Sequence, residues 1–401
     1  MYKQIKWILF IILLIIISGA FLLYKNRLKY DYISPVVDIN EDLTDTEIKE
    51  QIGQMIMIGF RGVEATEDSE IVRIIKETGI GGVVLFDYDI PSNTYPRNII
   101  DYDQTKKLIS DIQEYSNIPL FVATDAEGGN VNRLKSKYGF IPIVSAKTMG
   151  QDKTLQTVDA ESEKLSLELK DLGFNMNFAP VLDVDINPNN PIIGSIGRSF
   201  SSNPSEVVNQ AEVFIQNHLD NNIITVGKHF PGHGSSMEDS HKGVVDITNT
   251  YREEELLPYK EINKDGLLRA VMVAHVMNKN IDENYPATLS KYFIQDILRD
   301  DIGFEGLVIS DDMQMSAIIN NYKLNDSIIL AINAGVDVIG IMNNSVSGYD
   351  SELAYKIRDL IFDAVKDGRI LEERITKSYV KIIDLKQEFK IIKSENSIVV
   401  N

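Results

Sequence analysis

Beyond residue 42 the chain repeats one pattern, a short apolar and β-branched run followed by a longer amphipathic stretch. The short runs predict strands at Met55–Gly59, Gly82–Phe86, Leu120–Thr124, Asn175–Ala179, Thr225–Lys228, Ala270–Ala274, Leu307–Ser310 and Asp337–Ile341. Between them, helical segments are expected at Asp68–Thr78, Asp103–Tyr115, Leu155–Leu172, Ser205–Asn221, Lys291–Asp300 and Ser327–Ala334. Glu352 to Phe389 reads as two helices broken near Gly368. Strands this apolar suit a parallel sheet covered on its outer face. Eight of them with helical crossovers predict a closed (β/α)8 TIM-type barrel more readily than an open sheet.

The pattern is different at the start. Trp7 to Tyr24 runs without a charge, and as a helix it would span about 27 Å, close to the hydrocarbon thickness of a bilayer. Ser18-Gly19-Ala20 resembles a signal-peptidase site, but Phe21 to Tyr24 carries the apolar run past it, which favours an uncleaved transmembrane helix. Lys25, Arg27 and Lys29 follow the run, so the positive-inside count does not by itself favour an exported C-terminal part. The expected organisation is an anchor or signal segment (1–24), a polar tether (25–42), one catalytic barrel (43–390) and a short tail (391–401). On this reading the protein is single-pass in the cell membrane with an extracellular barrel, or secreted if the segment is cleaved, and monomeric.

Composition narrows the partners. A formal charge of −19 repels phosphate backbones, so nucleic acid is excluded as a partner class. The absence of cysteine removes disulfides, thiolate metal sites and thiol nucleophiles.

In such barrels the reactive groups sit at the C-terminal ends of strands and in the loops that follow. The third predicted strand ends in Asp125-Ala126-Glu127-Gly128-Gly129, where the glycines permit a tight turn. The fifth ends in Lys228-His229 and opens the loop Phe230-Pro231-Gly232-His233-Gly234, which continues to Asp239-Ser240-His241. The sixth ends in His275 and the seventh in Ser310-Asp311-Asp312-Met313. Four of the five histidines fall in these places, and only His218 lies on a predicted helix.

Lys228 to Gly234 followed by Asp239-Ser240-His241 resembles the signature of glycoside hydrolase family 3, in its β-N-acetylglucosaminidase branch. Asp125 to Arg133 is similar to that family's substrate-binding segment, and Ile196 to Phe200 to its arginine loop. Pro286 to Ser290 resembles a segment before its seventh strand, and Ser310 to Met313 its nucleophile motif. The resemblance runs from about residue 45 to about 386. It implies hydrolysis of terminal β-linked N-acetylglucosamine, with cell-wall fragments as the expected source, and no metal or organic cofactor. Asn130 stands where many relatives carry arginine, and Ser235 where many carry aspartate.

Retaining hydrolysis needs a carboxylate to attack the anomeric carbon and a second group to protonate the leaving oxygen and then activate water. The resemblance implies Asp311 as the nucleophile, with Asp312 orienting the loop; capping of the next helix would account for such a pair equally well. Only ninety residues follow Asp311, so the acid is expected within the barrel. Asp239 and His241, two apart, can set a carboxylate beside an imidazole, and the resemblance implies that same dyad. Asp125, Arg133, Arg198, Lys228 and His229 are expected to hold sugar hydroxyls through charge-assisted hydrogen bonds. Lys228 and His229 could instead be structural partners of Asp125 or Glu127. His233 reads as a loop organiser, and His275 and Met313 as pocket wall. The competing readings are a β-glucosidase or phosphorolytic enzyme of the same family, a metal-dependent hydrolase, and a non-catalytic surface carbohydrate-binding protein. Pro231 and Gly232 break the helical spacing a histidine metal pair would need.

Overall fold

The computed structural model describes residues 43–239 and 243–392. The anchor and tether expected over residues 1–42, and His241 with its two neighbours, lie outside the described residues. Among the described residues no helix is long and apolar enough to cross a membrane.

Eight parallel strands form the centre: β1 (Ile56–Gly59), β2 (Gly82–Val84), β3 (Phe121–Thr124), β4 (Met176–Asn177), β5 (Ile224–Phe230), β6 (Ala270–Val273), β7 (Leu307–Ser310) and β8 (Ile339–Ile341). Each pairs with its neighbour in sequence, and β1 pairs with β8. A bridge between Ile309 and Val338 joins β7 to β8, where Ser310 N–H donates to Val338 O at 3.0 Å. The sheet therefore closes, as the uniformly apolar strands predict. Every residue of seven of these strands that is apolar is buried, and β5 is buried along all seven of its residues.

All eight expected strands are present, with shifted ends. β4 contracts to Met176–Asn177, since Pro180 has no N–H to give to a ladder. β5 extends through Phe230, with a register shift against β6 between Gly227 and Phe230. The six expected helices appear as α2 (Glu70–Thr78), α3 (Tyr102–Glu114), α4 (Gln156–Leu172), α5 (Pro204–Asp220), α7 (Tyr292–Asp301, wound as a π-helix) and α8 (Leu324–Ala334). The break at Gly368 separates α9 (Leu353–Lys366) from α10 (Glu372–Glu388).

Four helices among the described residues lie outside the expected ones, two of them short (Ala146–Gln151 and Ser316–Ile319) and two of eight residues or more. α1 (Asp45–Gln54) precedes the barrel; Thr44 and Glu47 form a capping box, with Thr44 N–H donating to Glu47 Oε2 at 2.8 Å. α6 (Leu257–Lys264) begins with Pro258 in its first turn, where the missing N–H costs nothing. The C-terminal helix closes the bottom of the barrel: buried Lys386 donates to Gln54 Oε1 at 2.7 Å and Gly81 O at 3.0 Å. The domain also extends past residue 390, because Ile392 is buried against Ile118 and Ile383.

Candidate active site

A cavity of about 390 Å³ opens at the C-terminal ends of the strands, where a parallel barrel places its variable loops. Asp125, Arg133, Arg198, Lys228, His229 and Asp311 all line it. Six residues from distant parts of the chain are thus brought to one place.

Their charges form a continuous chain. Arg133 Nη2 lies 3.0 Å from Asp125 Oδ2, and Lys228 Nζ lies 2.9 Å from Asp125 Oδ1. Lys228 also reaches Glu127 Oε1 at 2.6 Å, and Arg198 grips Glu127 in fork geometry at 2.7 and 2.8 Å. Burial alone would raise the Asp125 carboxyl, but Lys228 and Arg133 overcome it and hold it well below the usual carboxylate range. The same contest at Glu127 is won by Arg198 and Lys228, so it too is lowered. Burial opposes the charge on Arg198, yet Glu127 raises its guanidinium above the ordinary value. Asp125, Glu127 and Arg198 are thus held ionised and fixed by one another and by Lys228.

His229 is oriented by a residue that sequence reasoning missed. Asp183, fully buried just beyond β4, accepts from His229 Nδ1 at 2.7 Å and from His229 N–H at 3.2 Å. Arg198 Nη2 lies 3.2 Å from His229 Nε2. A guanidinium can only donate, so Nε2 accepts and the ring proton sits on Nδ1, facing Asp183. Burial pushes Asp183 up, but His229 and the nearby His233 outweigh it and leave it lowered. The alternative partners for this histidine, Asp125 and Glu127, are taken by Lys228. The place of Asp183 near the end of a strand was the available signal.

Gly128 and Gly129 make the expected turn at φ +89° and +60°, and a Cβ on Gly128 would stand 2.2 Å from Val144 O. Asn130 Nδ2 donates to Ile196 O at 3.0 Å, tying this ribbon to the Arg198 loop.

Asp311 follows β7, half-buried, with its N–H on Val273 O at 3.1 Å. Its Oδ1 accepts the Asp312 N–H at 2.8 Å, which points the carboxylate while leaving it on the cavity wall. Asp312 Oδ1 accepts from Met342 N–H at 3.0 Å and Gln314 N–H at 3.1 Å, so it links β7 to β8. Neither aspartate is the N-cap of the next helix, a place held by Met315. His275 and Met313 do not line the cavity. His275 is buried behind it, bonded to Thr288 Oγ1 at 2.9 Å and Asp312 O at 3.0 Å, because the sixth strand turns it toward the β7 loop.

The loop after β5 begins as a fixed stalk. His233 N–H donates to Asp183 Oδ1 at 2.7 Å, and its Nδ1 meets Ser236 Oγ at 2.8 Å. His233 thus organises the loop as its sequence context suggests; burial pushes its imidazole down to about 4. Gly234 has no room for a side chain, since a Cβ would lie 1.7 Å from Val184 O. Ser235 is buried and its N–H donates to Glu255 Oε2 at 3.2 Å. Past Ser236 the chain emerges, with Met237 73% exposed and Asp239 half-buried. Burial pushes the Glu255 carboxyl up to about 7.

The opposite wall comes from the β2 and β8 loops. Fully buried Arg97 pairs with Asp89 and donates to Asn343 O at 2.8 Å, and Asn344 Nδ2 donates to Tyr88 O at 3.0 Å. Tyr88, Ile90, Asn344 and Val346 line this side. No set of three or more His, Asp or Glu among the described residues is arranged to hold a metal ion.

The sequence matches the glycosyl hydrolase family 3 N terminal domain over residues 47–385. It is 33% identical over 294 residues to a beta-hexosaminidase of Tolumonas auensis, covering 72% of this chain and 83% of that protein. Against beta-hexosaminidase A of Pseudoalteromonas piscicida it is 28% identical, over 84% of this chain and 60% of the other. Among solved structures, a family 3 beta-N-acetylglucosaminidase from Paenibacillus superposes with a TM-score of 0.77 at 32% identity. That match covers 90% of this chain and 66% of that one. A beta-N-acetylhexosaminidase from Beutenbergia cavernae gives 0.75 at 26% identity, over 87% of this chain and all of the other.

Proposed function

The chain belongs to glycosyl hydrolase family 3, and from that premise we propose that it is a retaining exo-glycosidase that releases terminal β-linked N-acetylglucosamine. The observation that carries the reading is the convergence of Asp125, Arg133, Arg198, Lys228 and His229 with Asp311 around one cavity. The first five offer fixed donors and acceptors to the hydroxyls of one sugar ring, and the hexosaminidase relatives support an N-acetylated one. Asp311 then attacks the anomeric carbon as the bond to the leaving oxygen breaks, giving a glycosyl-enzyme ester. His241, with Asp239 beside it, gives its proton to the leaving oxygen and recovers one from the water that cleaves the ester. No cofactor enters this sequence of steps.

We further propose that the barrel is held at the outer face of the membrane by the apolar run Trp7 to Tyr24 and trims peptidoglycan fragments. The length of that run supports the first part, and the sugar specificity supports the second. Protease treatment of wall-stripped cells tests the topology: digestion of the barrel is expected, and full shielding would sink the proposal. For the chemistry, an aryl N-acetyl-β-glucosaminide is expected to turn over much faster than the matching glucoside. Release of the β-anomer first, followed by mutarotation, is the expected stereochemical course. Release of the α-anomer would replace the double displacement by a single one.

A further inference from the structure

Beside the sugar cavity the β2 loop doubles back on itself. Asp89 N–H donates to Thr94 O at 3.0 Å, and Thr94 N–H donates to Asp89 O at 3.2 Å. Tyr88 precedes one end of that pairing and Tyr95 follows the other, so their rings meet with centroids 4.7 Å apart. Tyr88 lines the cavity, whereas Tyr95 lies outside its lining and is 49% exposed. Tyr138, on the short turn Ser136–Tyr138, adds a third ring 6.1 Å from Tyr95. The loop is fixed at its base: Asp89 pairs with both Arg61 and buried Arg97, and Ile90 N–H donates to Asn344 Oδ1 at 2.9 Å. One wall of the cavity is thereby continued outward as a rigid aromatic surface.

Two lysines sit on these rings. Lys135 Nζ stands 5.7 Å from the centre of Tyr95 and is paired with Asp87. Lys137, exposed, stands 4.5 Å from the centre of Tyr95 and 4.6 Å from that of Tyr138, and no carboxylate among the described residues pairs with it. In a chain of formal charge −19 this is a local positive point beside the cavity mouth. An exo-glycosidase takes the terminal sugar into its charged cavity, so a surface beyond that cavity can meet only the rest of the substrate. An aromatic ring offers a flat apolar face to the C–H face of a pyranose, and an ammonium with unshared N–H groups holds a carboxylate. We propose that this surface is an aglycone subsite: Tyr88 and Tyr95 take the face of the substrate's second sugar ring, and Lys137 takes a carboxylate carried on that ring. This rests on the exo-glycosidase reading and narrows the substrate class to N-acetylglucosaminides of an acidic sugar.

Substrates that differ only beyond the terminal sugar separate this from a general loss of structure. The full-length wild type, Tyr95→Ala and Lys137→Met are compared on three of them. Methyl N-acetyl-β-glucosaminide has no second ring, N,N′-diacetylchitobiose has a neutral one, and N-acetylglucosaminyl-N-acetylmuramic acid has one that bears a carboxylate. Tyr95→Ala is expected to lose about fivefold or more in kcat/KM on both disaccharides and under about twofold on the methyl glycoside. Lys137→Met is expected to lose about three- to fivefold on the acidic disaccharide alone, the scale of an exposed ion pair. Tyr95→Leu, which keeps bulk without the flat face, carries the test if the alanine variant does not fold. Equal losses on all three substrates, or none, in the Tyr95 variants would overturn the subsite. A Lys137→Met variant that treats the two disaccharides alike would overturn the acidic aglycone. If the folded wild type turns over none of the three, the glycosidase reading falls and this inference with it; turnover of the methyl glycoside with unaltered disaccharide kinetics in the variants brings down the subsite alone.

Discussion

Replacing Lys228 by methionine keeps most of the stem and removes the ammonium at the centre of the charge chain. That ammonium lies 2.9 Å from Asp125 Oδ1 and 2.6 Å from Glu127 Oε1, on a side chain only 2% exposed. At an effective dielectric of about 20, each contact carries about 6 kcal/mol of Coulomb attraction. Desolvation offsets most of it, and removal of one partner from a buried ion network costs about 3–5 kcal/mol net. The lower end is expected, because Arg133 still faces Asp125 and Arg198 still faces Glu127. For a domain of this size that corresponds to a fall in Tm of roughly 4 °C. The pH dependence carries the sharper signature. Asp125 is depressed in the folded protein, so the stability it contributes is present above its unfolded value and is lost as pH falls through the folded one. The variant has forfeited part of this, so the gap to wild type is full at neutral pH and narrows below about pH 4. Urea unfolding at a series of pH values measures it. On the catalytic side, loss of a charged hydrogen bond to a sugar hydroxyl is expected to lower kcat/KM by about 10- to 150-fold. A gap under about 1 kcal/mol at neutral pH, or one that widens on acidification, would refute the reasoning.

Three further outcomes are expected. Asp183→Asn should cost about 2–4 kcal/mol and lower kcat/KM on the N-acetylglucosaminide, since the amide cannot accept from His229 and His233 as a carboxylate does; unchanged kinetics in a folded variant would detach His229 from the sugar site. His218, stacked on Phe214 with centroids 4.4 Å apart, is pushed down to about 4 by burial, below its unfolded value of about 6.5. The folded state binds fewer protons between those values, so its stabilisation is complete above the upper one and is lost toward the lower at up to about 1.4 kcal/mol per pH unit. His218→Gln should flatten that slope in urea titrations between the two values, and an unchanged slope would count against it. Gly234→Ala forces a methyl to within 1.7 Å of Val184 O. It is therefore expected to displace the stalk and abolish turnover, and full activity would mean that the stalk can shift freely.

The barrel was readable because its strands are buried on both faces, which leaves runs such as Leu307–Ser310 with no polar interruption. α1 was not, because only Ile48 and Ile52 mark its apolar face among eight other residues of DTEIKEQIGQ, of which several are charged. The site residues at strand ends could be named from sequence, and the structure brings Asp125, Arg133, Arg198, Lys228, His229 and Asp311 to one cavity. Their pairing could not be named. Asp183 and Glu255 act through backbone N–H groups and a histidine that lie 46 and 21 residues away in sequence. No local spacing encodes such contacts; they exist only once the β4 and β5 loops pack together. The acid-base pair remains a reading of the D-x-H spacing and its family resemblance, with Asp239 at the end of a fixed stalk and His241 outside the described residues.

The most direct test of the account is to trap the glycosyl-enzyme. The full-length protein is incubated with a 5-fluoro N-acetyl-β-glucosaminyl fluoride, which slows breakdown of the ester, then digested and mapped by mass spectrometry. The account predicts one labelled peptide with the sugar on Asp311, and no label in Asp311→Asn. A label on another carboxylate, or steady turnover of ordinary substrate by Asp311→Asn, would contradict it.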